Sequence, residues 1–191
     1  MARCIFIASL VAMLSVHDVG GVPAPKIDPR TNLVVNGSFE EGVDDVGDFK
    51  PLDVGSTAIK GWKVTRGQID YIGTFWKSAD GKRSVDLHGS PGYGGISQEI
   101  ATKKDQKYRV TFQAAGTPGT GERGIIVEAA GMKQTFKVDG TGHTRAEMGW
   151  SKKTWEFTAT GATTLLEFRT DGTGDNQQGP AIDDVSVTIV P

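Results

Sequence analysis

The sequence predicts an all-β protein, a jelly roll or β-sandwich of two antiparallel sheets. Short runs alternate apolar and polar residues, the period-two pattern of strands with one buried face. About eight to ten such runs follow one another at roughly ten-residue spacing, as in a sandwich. After the N-terminal segment, no long window holds a helical apolar stripe, so the helices that a parallel α/β sheet needs between its strands are missing. Glycine is abundant, 26 of 191 residues, yet shows no three-residue period, so it marks tight turns.

Residues 1–21 read as an export signal. Arg3 supplies the positive start, Cys4 to Val16 an apolar run too short to span a bilayer well, and Val19-Gly20-Gly21 small residues for cleavage. Residues 22–31, with Pro23, Pro25 and Pro29, read as an extended linker, and residues 32–191 as one domain. Within that domain the alternating runs come in order. Trp62 and Val64 are followed by Val85 and Leu87, then by Ile96, Gln98 and Ile100. Tyr108, Val110, Phe112 and Ala114 form the cleanest strand; Gly124 to Ala129, Lys133 to Val138, Thr154 to Ala159 and Thr163 to Thr170 come next. The last run, Gly179 to Val190, alternates Val185, Val187 and Ile189 with Ser186 and Thr188, and it brings the adjacent carboxylates Asp183 and Asp184 with it.

The only cysteine, Cys4, lies in the expected signal, so the exported domain has to be held by its core, by a metal, or by both. A formal charge of −2 gives no basic footprint for nucleic acid and no lipid-binding cluster, so neither nucleic acid nor, once the signal is removed, a membrane is an expected partner.

Several motifs lose to plainer readings. Gly119-Thr120-Gly121-Glu122-Arg123-Gly124 matches a dinucleotide fingerprint, but Ile125-Ile126-Val127 continues it as a strand where a helix is required. Asp86 and His88 lie two apart on one strand and read as a solvated polar face. A glycosidase needs two carboxyls about 5 to 10 Å apart across a cleft, and nothing distinguishes the environments of Glu40, Glu41, Asp183 and Asp184. Clustered carboxylates where the chain closes suit Ca²⁺, which takes six to eight oxygen ligands. A solvent-exposed acidic cluster in turns is the rival reading.

Trp62 and Trp155 fit inward core positions, and Trp150 a cap on the core. Trp76 lies in a loop-like stretch and is expected either to pack there or to offer its face to a sugar ring, with Tyr71, Tyr93 and Arg123 as weaker partners. Asn36-Gly37-Ser38 is an N-glycosylation sequon, meaningful only in a eukaryotic host.

One resemblance covers nearly the whole domain. It runs through Asn32 to Glu40, Gly61-Trp62, Ile69-Asp70-Tyr71, Trp76 to Gly81, Arg83 to Leu87, Gly95 to Gln98, Tyr108 to Phe112 and Gly179 to Val185, in that order. These blocks resemble the bacterial choice-of-anchor C secreted domain and the plant cell-wall domain-of-unknown-function proteins, although plant members carry two domains where this chain shows one. The resemblance implies a galactose-binding-like jelly roll, and a structural calcium held by Glu40 with Asp183 or Asp184. The expected function is a secreted, non-catalytic carbohydrate-binding module for a cell-wall polysaccharide. The alternative is an extracellular structural domain that contacts cell-wall proteins and no sugar. A glycosidase is a third reading, and the oligomeric state is left open.

Overall fold

The computed structural model describes residues 28–191 apart from Pro91 and Asn176. The expected signal and most of the linker lie outside the described residues. Thirteen strands are formed among them: β1 (Phe49–Asp53), β2 (Lys63–Arg66), β3 (Gln68–Ile72), β4 (Ser84–Asp86), β5 (His88–Gly89), β6 (Gly92–Tyr93), β7 (Gly95–Ala101), β8 (Lys107–Gly116), β9 (Glu122–Ala129), β10 (Met132–Asp139), β11 (Ser151–Thr158), β12 (Thr163–Thr170) and β13 (Pro180–Ile189). No helix occurs among the described residues.

Six strands make one sheet in the order β1-β3-β4-β13-β8-β11, and five make the other in the order β10-β9-β12-β7-β2. Every pairing is antiparallel. The two-sheet sandwich expected from the alternation is therefore the fold. The inward residues of β8 (Tyr108, Val110, Phe112) meet those of β9 and β12 (Ile125, Val127, Leu166, Phe168), all at most 1% exposed. Phe112 meets Phe168 edge-on at 5.0 Å between ring centroids, within the usual range for aromatic pairs. Trp62 is buried in this core against Phe39, while Trp155 packs against it only partly buried. The β9–β10 hairpin turns on Ala130 and Gly131, both at positive φ, the geometry of a two-residue turn that matches strand twist. The dinucleotide-like glycines span the β8–β9 loop and the start of β9, which continues as a strand.

The last strand is central to its sheet, paired to β8 on one side and to β4 on the other. Val185 and Val187 seal the core at 1% and 0% exposure. The beginning of the domain is stitched to it: Asn32 Oδ1 accepts the Val187 N–H at 2.9 Å, and the Val185 N–H donates to Gly37 O at 2.9 Å. A Cβ on Gly37 would overlap the Val185 carbonyl oxygen, which is why the crossing requires glycine. Between Asp183 and Ser186 the β13–β8 register shifts, with Asp184 at φ 46, a bulge that re-aims the side chains before it.

The six-stranded sheet is buried on both faces near β3, β4 and the start of β13. Ile69 and Tyr71 enter the sandwich core, whereas Ile72 of the same strand joins Trp76, Ala115, Met148 and Ala181 in a second apolar cluster on the far face. Two loops cover that face, residues 73–83 and residues 140–150. They are tied together by the Lys77 N–H donating to Arg145 O at 2.8 Å and by the Trp150 indole N–H donating to Lys77 O at 2.9 Å. Trp150 therefore caps the second cluster and not the sandwich core.

Candidate functional site

The far face of the six-stranded sheet holds a cavity of about 210 Å³. Its floor is two carboxylates, Asp70 on β3 and Asp86 on β4, which stand directly opposite each other in the β3–β4 register. Phe49, Ile72, Phe75 and Trp76 supply apolar wall, while Ser90, Thr117, Arg145, Gln177 and Gln178 supply polar groups. Phe75 packs edge-on to Phe49 at 5.4 Å between centroids and tilted against Trp76 at 5.5 Å, and the Arg145 guanidinium lies 3.7 Å over the Phe75 ring. Arg145, Phe75 and Trp76 thus form one braced wall.

Both carboxylates are nearly inaccessible, Asp70 at 4% and Asp86 at 3% exposure. Asp86 is well served: Oδ1 accepts the His88 N–H at 2.9 Å, and Oδ2 accepts from the Thr117 hydroxyl at 3.3 Å and the Gly179 N–H at 3.4 Å. Asp70 Oδ2 accepts from the Ser90 hydroxyl at 2.7 Å, but Oδ1 has no hydrogen-bond partner among the described residues. Burial pushes Asp70 up to about 6, against the pull of Ser90. Burial pushes Asp86 up to about 8, with the neighbouring Asp70 charge adding to the rise and the three hydrogen bonds opposing it. With values of about 6 and about 8, the pair carries one proton between them near neutral pH, held mainly by Asp86.

Asp86 and His88 are therefore no solvated face. His88 is fully buried, its Nε2 is 2.6 Å from Thr170 Oγ1, and burial holds its pKa below the ordinary value. The alternation that suggested an exposed side is genuine, but the covering loops fill that side.

The expected sugar contacts are scattered. Trp76 lines the cavity but is 4% exposed, with its indole N–H donating to Ser84 Oγ at 2.9 Å; it forms wall and not an open platform. Tyr71 points into the sandwich core at 0% exposure and donates its hydroxyl hydrogen to Phe39 O at 2.6 Å, so it presents no face to a ligand. Tyr93 is 43% exposed, rests edge-on against His88, and donates to Gly174 O at 3.0 Å. Arg123 is 7% exposed, pairs with Asp175 at 3.1 Å and donates to Gln178 O at 2.7 Å, which spends it on bracing the segment before β13. Neither Tyr93 nor Arg123 lines the cavity.

Of the expected calcium ligands Glu40, Asp183 and Asp184, the first two accept main-chain N–H groups. Asp183 is fully buried; its Oδ2 accepts the Ala79 and Asp80 N–H groups at 2.8 and 2.9 Å, and its Oδ1 accepts the Asp184 N–H at 2.7 Å. Glu40 Oε1 accepts the Lys82 and Arg83 N–H groups at 2.8 and 2.7 Å. The Asp184 side chain is exposed. No group of three or more acidic, histidine or cysteine side chains suited to a metal occurs among the described residues. In this structure amide N–H groups are the partners of both Asp183 oxygens and of Glu40 Oε1, whereas Ca²⁺ takes six to eight oxygens. What the two carboxylates do is hold the 79–83 loop over the sheet from both ends of the domain. The sequon asparagine is likewise engaged: Asn36 Nδ2 donates to Glu41 O and Lys60 O, at 2.7 and 3.0 Å.

Asp70, Phe75, Ser90, Thr117 and Arg145 were not singled out from sequence. A lone aspartate inside an otherwise apolar strand, Ile69-Asp70-Tyr71-Ile72, was the available sign, since a charge with apolar neighbours on both sides is either solvated or buried for a purpose.

A sandwich of two antiparallel sheets with a covered, carboxylate-floored cleft on one far face has the jelly-roll architecture of carbohydrate-binding modules. TmCBM61, solved in complex with β-1,4-galactotriose, superposes with a TM-score of 0.52 at 18% identity over 84% of this chain and 99% of its own. The α-L-arabinofuranosidase MgGH51 superposes with a TM-score of 0.53 at 15% identity, over 83% of this chain and 26% of the enzyme. Both likenesses are of fold. The chain belongs to the family described as Protein of unknown function (DUF642), whose model matches residues 32–188. It is also 31% identical over 96% of its length to halomucin of Haloquadratum walsbyi (strain DSM 16790 / HBSQ001), of which it spans 2%.

Proposed function

We propose that the protein is a secreted, non-catalytic carbohydrate-binding module that takes a polysaccharide segment into the cleft above Asp70 and Asp86. The observation that carries this reading is the cavity of about 210 Å³ that Asp70 lines beside an aromatic wall; Asp70 Oδ1 has no donor among the described residues and is closed off from solvent, so a sugar hydroxyl reaches it once the covering groups move aside. Sugar hydroxyls are donors of the right kind, and the aromatic wall of Phe49, Phe75 and Trp76 suits the apolar C–H face of a pyranose. The fold shared with TmCBM61 supports the reading at the level of architecture. The expected export signal and the likeness to halomucin support an extracellular location.

The carboxyl pair also invites the glycosidase reading. The two readings part on whether new reducing ends appear when the chain meets a glycan, which the test below measures.

The test is isothermal titration and affinity electrophoresis over a broad panel of soluble polysaccharides, with Asp70→Asn and Asp86→Asn beside the wild type. At least one glycan should bind, and Asp70→Asn should weaken it about tenfold or more, the loss expected for a buried charged acceptor. Full binding by a folded Asp70→Asn variant would remove the cleft from the proposal. Release of new reducing ends from any glycan would replace a binding module with an enzyme.

A further inference from the structure

Beside the carboxylate-floored cavity, and sharing Phe75, Trp76 and Arg145 with it, lies a second and more open pocket. Lys77, Lys82, Arg83 and Arg145 line it, and no acidic residue does. The chain as a whole is slightly acidic, so four cations without a carboxylate among the lining residues are a local concentration. None of the four takes part in an ion pair among the described residues, although ten ion pairs are formed elsewhere.

The positions of these cations are built. Glu40 accepts the backbone N–H groups of Lys82 and Arg83, Asp183 accepts those of Ala79 and Asp80, and the Lys77 N–H is bonded to Arg145 O across the two covering loops. Two carboxylates near the ends of the domain thus bind main-chain amides of the loop and form no ion pair with its lysine or arginine side chains. Arg83 lies 5.5 Å from the Tyr71 ring centroid, and Arg145 lies over Phe75, so both guanidinium groups rest on aromatic rings.

We infer that this pocket selects anionic glycans: the ligand of the neighbouring cleft carries carboxylate or sulfate groups, which the lysines and arginines hold while the sugar ring lies on the wall formed by Phe75 and Trp76. This rests on the carbohydrate-binding reading of that cleft and adds the charge of the ligand to it. A planar guanidinium pairs with a carboxylate or a sulfate through two parallel N–H groups, and the ammonium groups add charge without fixed geometry. Uronic acids and sulfate esters present the same chemistry to this wall. An acidic polypeptide would also meet the cations, but it has no use for the hydroxyl acceptor at Asp70 or for a flat apolar face.

The experiment uses the full secreted chain against four probes of matched length: a neutral β-1,4-galactan, a polygalacturonate, a sulfated galactan and poly-glutamate. Affinities are read by titration in 50 mM and 500 mM NaCl. The polygalacturonate, the sulfated galactan or both should bind about tenfold more tightly than the neutral galactan at low salt, and the advantage should vanish at high salt, as for exposed charges. Lys77→Gln/Lys82→Gln/Arg83→Gln, which leaves the Arg145 wall of the cleft in place, should erase most of the advantage and leave neutral binding unchanged. Lys77→Gln/Lys82→Gln, which also keeps Arg83, should erase part of it even if the triple variant folds poorly. Which anionic probe is preferred identifies the source of the charge. Neutral binding that depends on Asp70, with no gain from charge, overturns this inference and leaves the cleft standing. Poly-glutamate binding as tightly as the anionic glycans also overturns it, because the pocket then reads charge alone. A chain that binds no glycan overturns both readings.

Discussion

The sharpest consequence of the Asp70–Asp86 pair is that acid should stabilise this protein. An aspartate in the unfolded chain loses its proton near pH 4, whereas burial holds Asp86 protonated up to about 8 and Asp70 up to about 6. Between those limits the folded state binds more protons than the unfolded state. Stability contributed by the pair is therefore complete below pH 4 and is lost as the pH rises through the folded values. One proton retained over the three pH units from 5 to 8 amounts to about 4 kcal/mol at 1.4 kcal/mol per unit. Relaxation and water entry around the ionised pair reduce that to about 2 kcal/mol. With about 2 kcal/mol per molar urea for a domain of this size, the unfolding midpoint should fall by about 1 M between pH 5 and pH 8.

Other groups titrate in the same window. Asp183, pushed up to about 7 by burial, adds a loss of the same sign. His88 opposes it, because its folded pKa is depressed and the unfolded chain takes up a proton as the pH drops through about 6.5. Asp171, held at about 2 by Lys137 and Thr173 against the upward push of burial, has delivered its stabilisation before pH 5. The assay is therefore the difference between wild type and Asp86→Asn, measured by urea unfolding at pH 5, 6.5 and 8. The amide keeps the acceptor for the His88 N–H, and the Thr117 hydroxyl, which in wild type lies between Asp86 Oδ2 at 3.3 Å and Gly179 O at 2.9 Å, can give its hydrogen to Gly179 O and accept from the amide. Asp86→Asn should be as stable as wild type or more so at pH 8 and less stable at pH 5. Parallel midpoint curves for the two proteins would refute the shared proton.

Four further perturbations test the scaffold. Trp76→Ala removes a buried indole from the second cluster and should cost about 3 kcal/mol in chemical denaturation, while Ser84→Ala, which removes only the acceptor of the indole N–H, should cost about 1 kcal/mol. Equal costs for the two would show that the indole is not packed as described. Gly37→Ala sets a methyl group against the Val185 carbonyl and should destabilise by about 3 kcal/mol or prevent folding, detectable as a collapse of the melting transition; a melting temperature within about 2 °C of wild type would mean that the crossing of first segment and last strand is looser than drawn. Excess EDTA should leave the melting temperature unchanged. A calcium bound at a hundred times its dissociation constant would be worth about 2.7 kcal/mol, or about 5 °C or more, and a fall of that size would displace the amide account of Glu40 and Asp183.

The sandwich was legible because its core face obeys a period of two: β12 spans the expected Thr163 to Thr170, and β8 extends the expected Tyr108–Ala114 run by a residue or two at each end. Two strands escaped for physical reasons. β3 is buried along both faces from Ile69 to Ile72, so its composition does not alternate, and in β1 only Leu52 is buried. The same double burial hid the cleft. Alternation reports whether a residue lies inward or outward from one sheet, and it is silent about loops folded over the outer side; hence Asp86 and His88 read as solvated, and Trp76, placed in a loop, reads either as packed there or as facing a sugar. Tyr71 failed as a surface aromatic because it shares a strand with Asp70 but points to the opposite face.

Glu40 and Asp183 show how one convergence of carboxylates can be served by different partners. Their convergence from the two ends of the domain is visible in sequence as an acidic residue after the first strand-like run and another before the last. The partner is not visible, because main-chain N–H groups leave no trace in residue identity. Four amides of one loop, at Ala79, Asp80, Lys82 and Arg83, are taken up by these two side chains. Amide hydrogens satisfy a carboxylate without bringing a compensating side-chain charge, so the loop is fixed while Lys77, Lys82 and Arg83 stay available. A cation in that place would fix the loop equally well but would draw its carbonyls inward and turn the amides out. With amides as the partners of these carboxylates, closure of the fold and presentation of a cationic wall are the same structural event, and Glu40→Gln, which keeps an acceptor for Lys82 and Arg83 while removing the charge, should preserve both.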